Sequence, residues 1–339
     1  MSSMNLLSHF RLLAASANSL GLQLQLDFST FRVEVSGRDR YFELEPEFAA
    51  FTPAGVLEFS HEMLPRSRLF TGWRCAPKKS CEVSSDKRAF MAFCARNQVR
   101  TPRTFARAAD ATTNTIVKQA RPGIRGVVRG PFAPGAIPPT CLQASFEPII
   151  QEFVPGHMLE AWYWDGQLLA VEVRNRPHVM GDGMTSVREL ITCNSLSADW
   201  IDWTAAEDAA RFQGATLDTV LSVGKELAVD IRFTSALQAP TAENVLKTLV
   251  GTPVQQQLLR AGAVFWSAIA QEIRAHTSFV LGAVIDSRQQ LWFTDMITDL
   301  RIHPETYDPM LRSLFEMPAA APEAGASLAN MPAASAVAS

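Results

Sequence analysis

No basic block interrupts this sequence, and the formal net charge is −3 over 339 residues. Nucleic-acid binding rests on neutralising many phosphates, so a nucleic-acid partner is not expected. No apolar run approaches the ~20 residues of a membrane-spanning helix. The opening MSSMNLLSHFRLLAASANSLG lacks a charged start followed by a long apolar core, so a signal peptide is not expected either. The five cysteines, Cys75, Cys81, Cys94, Cys141 and Cys193, are odd in number and follow no zinc spacing. Free thiols of a cytoplasmic protein are the reading they support. No G-K-(S/T) occurs, which excludes a Walker phosphate loop. Heptads are absent too, so nothing marks an oligomer seam.

What remains is a globular composition, 47% hydrophobic and 19% charged, in a chain long enough for two or three packed units. Leu6, Phe10, Leu13 and Ala17 recur at helical spacing, and Gly21 ends that helix. Alternating stretches at 22–26, 31–35 and 41–44, with a turn at Gly37-Arg38-Asp39, read as strands with a hairpin. Residues 46–80 hold several prolines and little periodicity and read as a connecting segment. A helix opens at Ser85 or Asp86 and runs to Asn97. Thr115 to Lys118 is a β-branched strand ending in a lysine. A loop with Gly123, Gly126 and Gly130 follows, carrying Arg121, Arg125 and Arg129. Thr252 and Pro253 cap a long helix whose apolar face holds Leu258, Phe265, Ile269 and Ile273. Two apolar strands close the pattern, one from Ser278 to Asp286 and one reaching Asp295. From Met317 onward the chain is Pro, Ala and Ser with one Glu, the composition of a disordered tail.

The most informative stretch is 149–191. A strand ends in E-F-V-P-G at Glu152 to Gly156, and a tight turn at Asp165-Gly166 joins two further strands. Then come Arg174, Arg176 and the loop Gly181-Asp182-Gly183, with Ser186 at a helix start. A strand with free terminal backbone groups suits the edge of a flat ligand. Guanidinium forks and a glycine loop near a helix N-terminus suit phosphate.

These residues resemble the ATP-grasp ligases, nearest the cyanophycin-synthetase-type domain, over roughly residues 80 to 312. That family pairs a hinge E-x-[apolar]-P-G with a run R-x-P-x-V-x-G-D-G-x-(S/T)-(T/S)-V-x-E-L. The resemblance implies an α/β (α+β) fold in which two α+β subdomains grip ATP, preceded by a small N-terminal α/β domain. The expected boundaries are 1–80 for the N-terminal domain and its connecting segment, 81–316 for the ATP-grasp domain, and 317–339 for the tail. Within the second, about 104–168 forms the nucleotide-covering subdomain.

The resemblance also implies roles. Glu152 takes the adenine amino group, and Phe153 and Val154 supply backbone contacts. Lys87 and Lys118 lie by the phosphates, as Arg176 can. Arg174 and Arg232 serve the reacting groups, Arg232 near the acyl phosphate. ATP needs Mg²⁺ on its phosphates, and hard carboxylate oxygens hold that ion. The family's two metal motifs are altered here. The first carboxylate falls on Gly282, and the second motif reads Asp295-Met296-Ile297. Asp295 can still ligate, with Asp286 or Asp299 as a second ligand. Met184 stands where the family has a lysine.

The function implied is an ATP-dependent carboxylate–amine ligase that forms an amide through an acyl phosphate and releases ADP and phosphate. Amino acids or small peptides are the implied substrates, and a homodimer is a common family state. Gly282, Met184 and Ile297 support a second reading, a nucleotide- or partner-binding protein that has lost its metal chemistry. A kinase-like phosphoryl transfer is a third.

Overall fold

The computed structural model describes residues 6–51, 57–65, 67–75, 79–120, 128–143, 147–195, 201–231, 243–298 and 301–318. The fold is α+β, and every strand pair within its sheets is antiparallel. The 317–339 tail and the loop arginines Arg121 and Arg125 lie almost wholly or wholly outside the described residues, as do Arg232 and Asp299.

The chain begins with helix α1 (Leu6–Ser19) and five strands: β1 (Gln23–Leu26), β2 (Val33–Gly37), β3 (Arg40–Phe51), β4 (Leu57–Ser60) and β5 (Ser67–Cys75). They form one sheet in the order β1-β2-β3-β4, with β5 also paired to β3. The connecting segment expected at 46–80 is therefore largely sheet. Pro46 hid it, because a proline inside a strand argues against a strand. Here β3 absorbs the proline next to a register shift at Glu47/Phe48 in its pairing with β5. Such a bulge is one place a sheet tolerates a missing N–H donor.

Two short helices follow, α2 (Glu82–Ser85) and α3 (Lys87–Arg96). Asp86 caps α3, its carboxylate accepting from the Arg88 amide at 2.7 Å. A small sheet comes next, ordered β6-β9-β7-β8, from β6 (Thr104–Phe105), β7 (Thr115–Gln119), β8 (Val128–Phe132) and β9 (Pro148–Glu152). One of its faces holds Phe105, Val117, Phe132 and Ile150, covered by Ile137 and Cys141 from the proline-rich segment. The pairings Ile116–Gln151 and Lys118–Ile149 put those four residues on the opposite face.

The larger sheet is ordered β11-β10-β14-β15, from β10 (His157–Trp164), β11 (Gln167–Arg174), β14 (Ser278–Ile285) and β15 (Leu291–Thr298). Between them in sequence lie β12 (His178–Met180), α4 (Val187–Asn194), α5 (Trp203–Phe212), β13 (Glu226–Ala228) and α6 (Pro253–Ala268). One face of the sheet carries Leu159, Ala161, Tyr163, Phe279, Leu281 and Phe293, buried against α3 and α6. Helix α6 runs sixteen residues and stops short of Ile273, because its Ile269 cap is followed by a one-turn 3₁₀ helix, Gln271–Ile273. The β12–β13 pair, α4 and α5 share a third core around Val179, Ile191, Ala206 and Leu227. Helix α5 docks on β8 through the buried Asp208, whose carboxylate takes the Arg129 Nε–H at 2.6 Å.

The last helix, α7 (Tyr307–Leu314), does not stay with the sheet that precedes it. Tyr307, Met310, Leu311 and Leu314 are buried with Leu13, Ala17, Leu44 and Trp73 of the N-terminal unit. The expected boundary at residue 80 is thus incomplete: the chain returns at its far end to finish the first core. Trp164 of β10 also joins that core, so the N-terminal unit sits against one end of the large sheet.

Candidate nucleotide and substrate site

The face of the large sheet turned away from α3 and α6 can be read from its register. Glu172 pairs with Glu160, Glu160 with Gly282, and Gly282 with Asp295, so these four residues form one row across β11, β10, β14 and β15. Opposed residues of antiparallel strands share a face. The row lies on the side away from the α6 core, because Leu159 and Ala161 flank Glu160 and point into that core. The next row, Ala170, Trp162, Val280 and Ile297, is apolar and packs together beneath it.

Asp295 at the end of the row pairs with Lys87, Nζ to Oδ2 at 2.5 Å. Lys87 is the first residue of α3, and its amide donates to the Ala120 carbonyl at 3.0 Å, just past β7. This bond ties the helix start to the end of the strand that carries Lys118. Lys118 is a buried residue whose ammonium is not sealed from the surface, and no described residue bonds or pairs with its side chain. Burial is the main force on it, and the nearby Lys87 adds to it; together they lower its pKa to about 8, against the opposing pull of Asp295. Two cations and one carboxylate thus converge where the small sheet faces the large one. A buried cation without a partner is costly. A bound anion would remove that cost.

Further along β9 the same inner face carries Gln151. Its amide nitrogen donates to the Pro102 carbonyl at 3.3 Å, which fixes the orientation of the group. The oxygen, Oε1, is buried with no partner. Sequence reading passed over Gln151 because a glutamine in a strand carries no charge signal; only burial without a partner marks it. At the strand end the amides of Glu152 and Phe153 are taken, donating to Arg103 at 2.8 Å and Asn114 at 2.7 Å. The Val154 amide has no partner among the described residues. One open acceptor, about 7 Å along the strand from Lys118 by strand rise, and one open donor three residues further on therefore mark the strand end. Gly156 lets the chain turn here. A Cβ at that position would come within 2.2 Å of the Ile285 carbonyl oxygen.

Neither a family model nor a curated protein matches the sequence. Solved structures do resemble it. A bifunctional glutathione synthetase from Pasteurella multocida aligns over 91% of this chain and 43% of its own, at 12% identity and a TM-score of 0.43. A D-alanine–D-alanine ligase from Bacillus anthracis complexed with ATP aligns over 69% and 66%, at 10% identity and 0.36. An L-amino acid ligase from Bacillus licheniformis aligns over 67% and 43%, at 11% and 0.33. The chain spans less than two thirds of each. Likeness of this order assigns no activity, and the reading of the site rests on its own geometry.

Several expected residues are placed elsewhere or differently engaged. Asp286 does not join Asp295. It follows β14 at the hairpin turn, four residues beyond Gly282 and on the order of 13 Å along the strand. Its carboxylate accepts from the amides of Arg288 and Gln290 and from Trp292 Nε1, each at 2.9 Å. Burial pushes that carboxyl up, but these hydrogen bonds more than offset it, so its pKa is lowered. The residue is a turn former, and Asp-x-x-x-Gln after a strand was the available signal. Arg174 is buried against Glu172, which His303 Nε2 also approaches at 3.3 Å. That guanidinium is engaged in the sheet rather than extended to a reacting group. Arg176 sits at the strand end and not at the lysines: it donates to the Val154 carbonyl at 2.8 Å. Arg129 is held by Asp208.

The Gly181-Asp182-Gly183 loop also departs from expectation. Asp182 accepts from the Thr185 hydroxyl and from the Thr185 and Met184 amides, which together hold its carboxyl down at about 2. Ser186 and Glu189 then form a capping box at the start of α4. Two carboxylates already occupy the end of that helix, so it is closed to phosphate. Glycine at 181 is required by packing: a Cβ there would lie 2.3 Å from the Ser222 carbonyl oxygen.

Among the described residues no three His, Cys, Asp or Glu side chains cluster to hold a metal. Mg²⁺ commonly takes only one or two carboxylates and completes its shell with phosphate oxygens and water. Asp295 meets that minimal requirement if it exchanges Lys87 for the ion. Gly282 leaves room beside it, since a Cβ there would meet nothing closer than 3.3 Å.

Proposed function

We propose that this protein binds ATP between the small sheet β6-β9-β7-β8 and the large sheet β11-β10-β14-β15 and uses it to join a carboxylate to an amine. The base would lie at the end of β9, with the Val154 amide and Gln151 Oε1 on its edge. The phosphates would run toward Lys118 and Lys87. The observation that carries the reading is the largely buried Lys118, unpartnered among the described residues, beside the Lys87–Asp295 pair, with an open acceptor at Gln151 and an open donor at Val154 further along the strand. The E-F-V-P-G resemblance to ATP-grasp ligases supports it independently.

In this reading Lys118 and Lys87 neutralise charge on the transferring phosphoryl group, and such electrostatic stabilisation usually contributes most of the rate gain in phosphoryl transfer. Mg²⁺, held by Asp295 and the phosphates, would supply further charge neutralisation. With the ion held there, Lys87 would be released from Asp295 and its ammonium could turn to the nucleotide. The row Glu160–Glu172, with Arg174 and His303, floors the neighbouring space, where amino-acid or peptide substrates would sit. Asp295 and Lys118 belong to the ATP-dependent step itself, and Arg174 is assigned to shaping that floor. Lys118 and Lys87 would hold the phosphates, and Phe153 and Val154 the base. Glu152 stands beside them at the strand end, where its backbone carbonyl can take the base's amino group.

The test is ADP release by purified protein with ATP and Mg²⁺ across amino acids, singly and in pairs. We expect ADP only with a particular pair, together with a product of amide mass. Lys118→Ala and Asp295→Ala should abolish both. A second reading, nucleotide binding without ligation, is favoured by glycine at position 282 and by the engagement of Asp286 in the hairpin turn. It would be supported by ATP binding that persists in EDTA with no turnover for any pair. ATP binding that needs Mg²⁺ would count against it.

A further inference from the structure

Arg176 is a charged group that the fold leaves incompletely used. It follows β11 in the R-N-R-P run, and its guanidinium lies over the Phe153 ring, 4.3 Å from the centroid. Nη2 donates to the Val154 carbonyl at 2.8 Å. Nε is buried with no hydrogen-bond partner. Among the described residues no carboxylate pairs with the group and nothing bonds Nη1, which is not sealed from the surface. Burial alone lowers its pKa, to about 10. Phe153 is in turn braced edge-on by Phe212 of α5, at 5.6 Å. The third packing unit therefore fixes the ring that fixes the arginine.

The position of this fork relative to the open Val154 amide follows from the backbone. Val154 precedes Pro155, which biases it to an extended conformation. In an extended residue the N–H and C=O point to the same edge. Arg176, bonded to that carbonyl, thus stands beside the unpartnered amide. A cation desolvated on one aromatic face and lacking a counter-charge is stabilised by whatever acceptor a ligand brings.

We propose that Arg176 recognises the base–ribose end of the nucleotide, donating from Nη1 to an acceptor there, and does not contact the phosphates. The inference rests on the nucleotide-binding reading above and deepens it. It also means that the Val154 carbonyl is not available to a base amino group. Recognition of that amino group then falls to Gln151 Oε1 or to the Glu152 carbonyl. Arg176 is a specificity residue: the fork presents a second donor beside the Val154 amide.

The experiment measures dissociation constants of AMP, ADP and ATP for wild type, Arg176→Met and Arg176→Lys, by calorimetry on the full chain. Thermal unfolding of each variant accompanies it. We expect both variants to lose about tenfold or more in affinity, the value of a charge-assisted hydrogen bond, by the same factor for all three ligands. Lysine should not rescue, because an ammonium cannot lie flat on Phe153 while bonding the carbonyl. A loss that grows with the number of phosphates would overturn the assignment in favour of a phosphate contact. Unchanged affinity in well-folded variants would overturn it outright. Should Arg176→Met unfold, Phe153→Leu, which removes the platform and keeps the charge, must show the same uniform loss or the proposal fails. If wild type binds none of the three ligands, the nucleotide reading falls and takes this inference with it. If wild type binds and the variants do too, only the inference falls.

Discussion

Lys118 concentrates the electrostatics of the site in one side chain. Its pKa is lowered to about 8, first by burial and then by Lys87. A phosphate favours the protonated form, so binding must raise that value again. Nucleotide affinity should therefore be full below pH 8. Above it, affinity should fall up to about tenfold per pH unit until the pKa of the complex is reached. Dissociation constants of ADP between pH 7 and 9.5 would show the slope, and Lys118→Met should flatten it. The same substitution removes a buried charge and keeps the stem. Unfolding of the free protein should then be unchanged or shifted to higher denaturant, while ADP binding weakens by tenfold or more. A destabilised Lys118→Met variant with unaltered ADP affinity would show the lysine to be structural. The place of Lys118 was legible in the sequence as a lysine near the end of a β-branched strand. Gln151 was not, since the feature that marks it is a missing partner, and sequence does not display partners. Asp286 misled for the same reason: an aspartate near an expected metal strand looks alike whether it faces a cation or caps a turn.

Elements were legible where periodicity and caps agreed, as in α1, α3 and α6, and illegible where proline contradicted pairing, as in β3. The least visible feature is how α6 meets β10. Gly262 lies in the middle of that helix, where glycine costs about 1 kcal/mol relative to alanine. Its reason is Tyr163. A Cβ at 262 would lie 2.3 Å from the ring's Cε1. The ring cannot step aside, because it is stacked on Phe279 with centroids 4.6 Å apart and its hydroxyl donates to the Leu258 carbonyl at 2.9 Å. Gly262→Ala, which on propensity alone should stabilise, is expected to destabilise by about 1–3 kcal/mol through overpacking. Urea unfolding decides the sign. A gain in stability would mean that the helix and sheet are not in this register. The consequence for the site is direct, since Glu160 and Tyr163 share β10 and any shift of that strand moves the acidic row.

At the scale of the whole molecule, the N-terminal unit and the large sheet are joined by the return of the chain in α7. Sequence reading placed a boundary at residue 80, and composition gave no reason to doubt it. Adjacency across nearly 300 residues is a tertiary fact with no local signal. His9 marks the joint. It is buried in α1, its Nδ1 lies 3.0 Å from the Tyr307 hydroxyl of α7, and its ring packs edge-on against those of Phe70 and Trp73. Burial first, and then the charges of Arg301 and His303, lower its pKa from 6.5 to about 4. The groups facing it are thus cationic or neutral, and none favours its proton. The sign follows from linkage. Below pH 6.5 the unfolded chain binds a proton that the folded chain refuses until about pH 4. The stability contributed by neutral His9 is therefore present above pH 6.5 and lost as pH falls toward 4, by roughly 3 kcal/mol at most. Urea midpoints measured from pH 7 to 4 should decline over that window. His9→Phe, which cannot take a proton, should remove its share of the decline, and its curve should converge with or cross that of the wild type near pH 4. Because α7 follows directly on the His303 that approaches Glu172, loosening this joint would also loosen one end of the acidic row. Any turnover should then fall with the midpoint over the same pH range in wild type, and less steeply in His9→Phe.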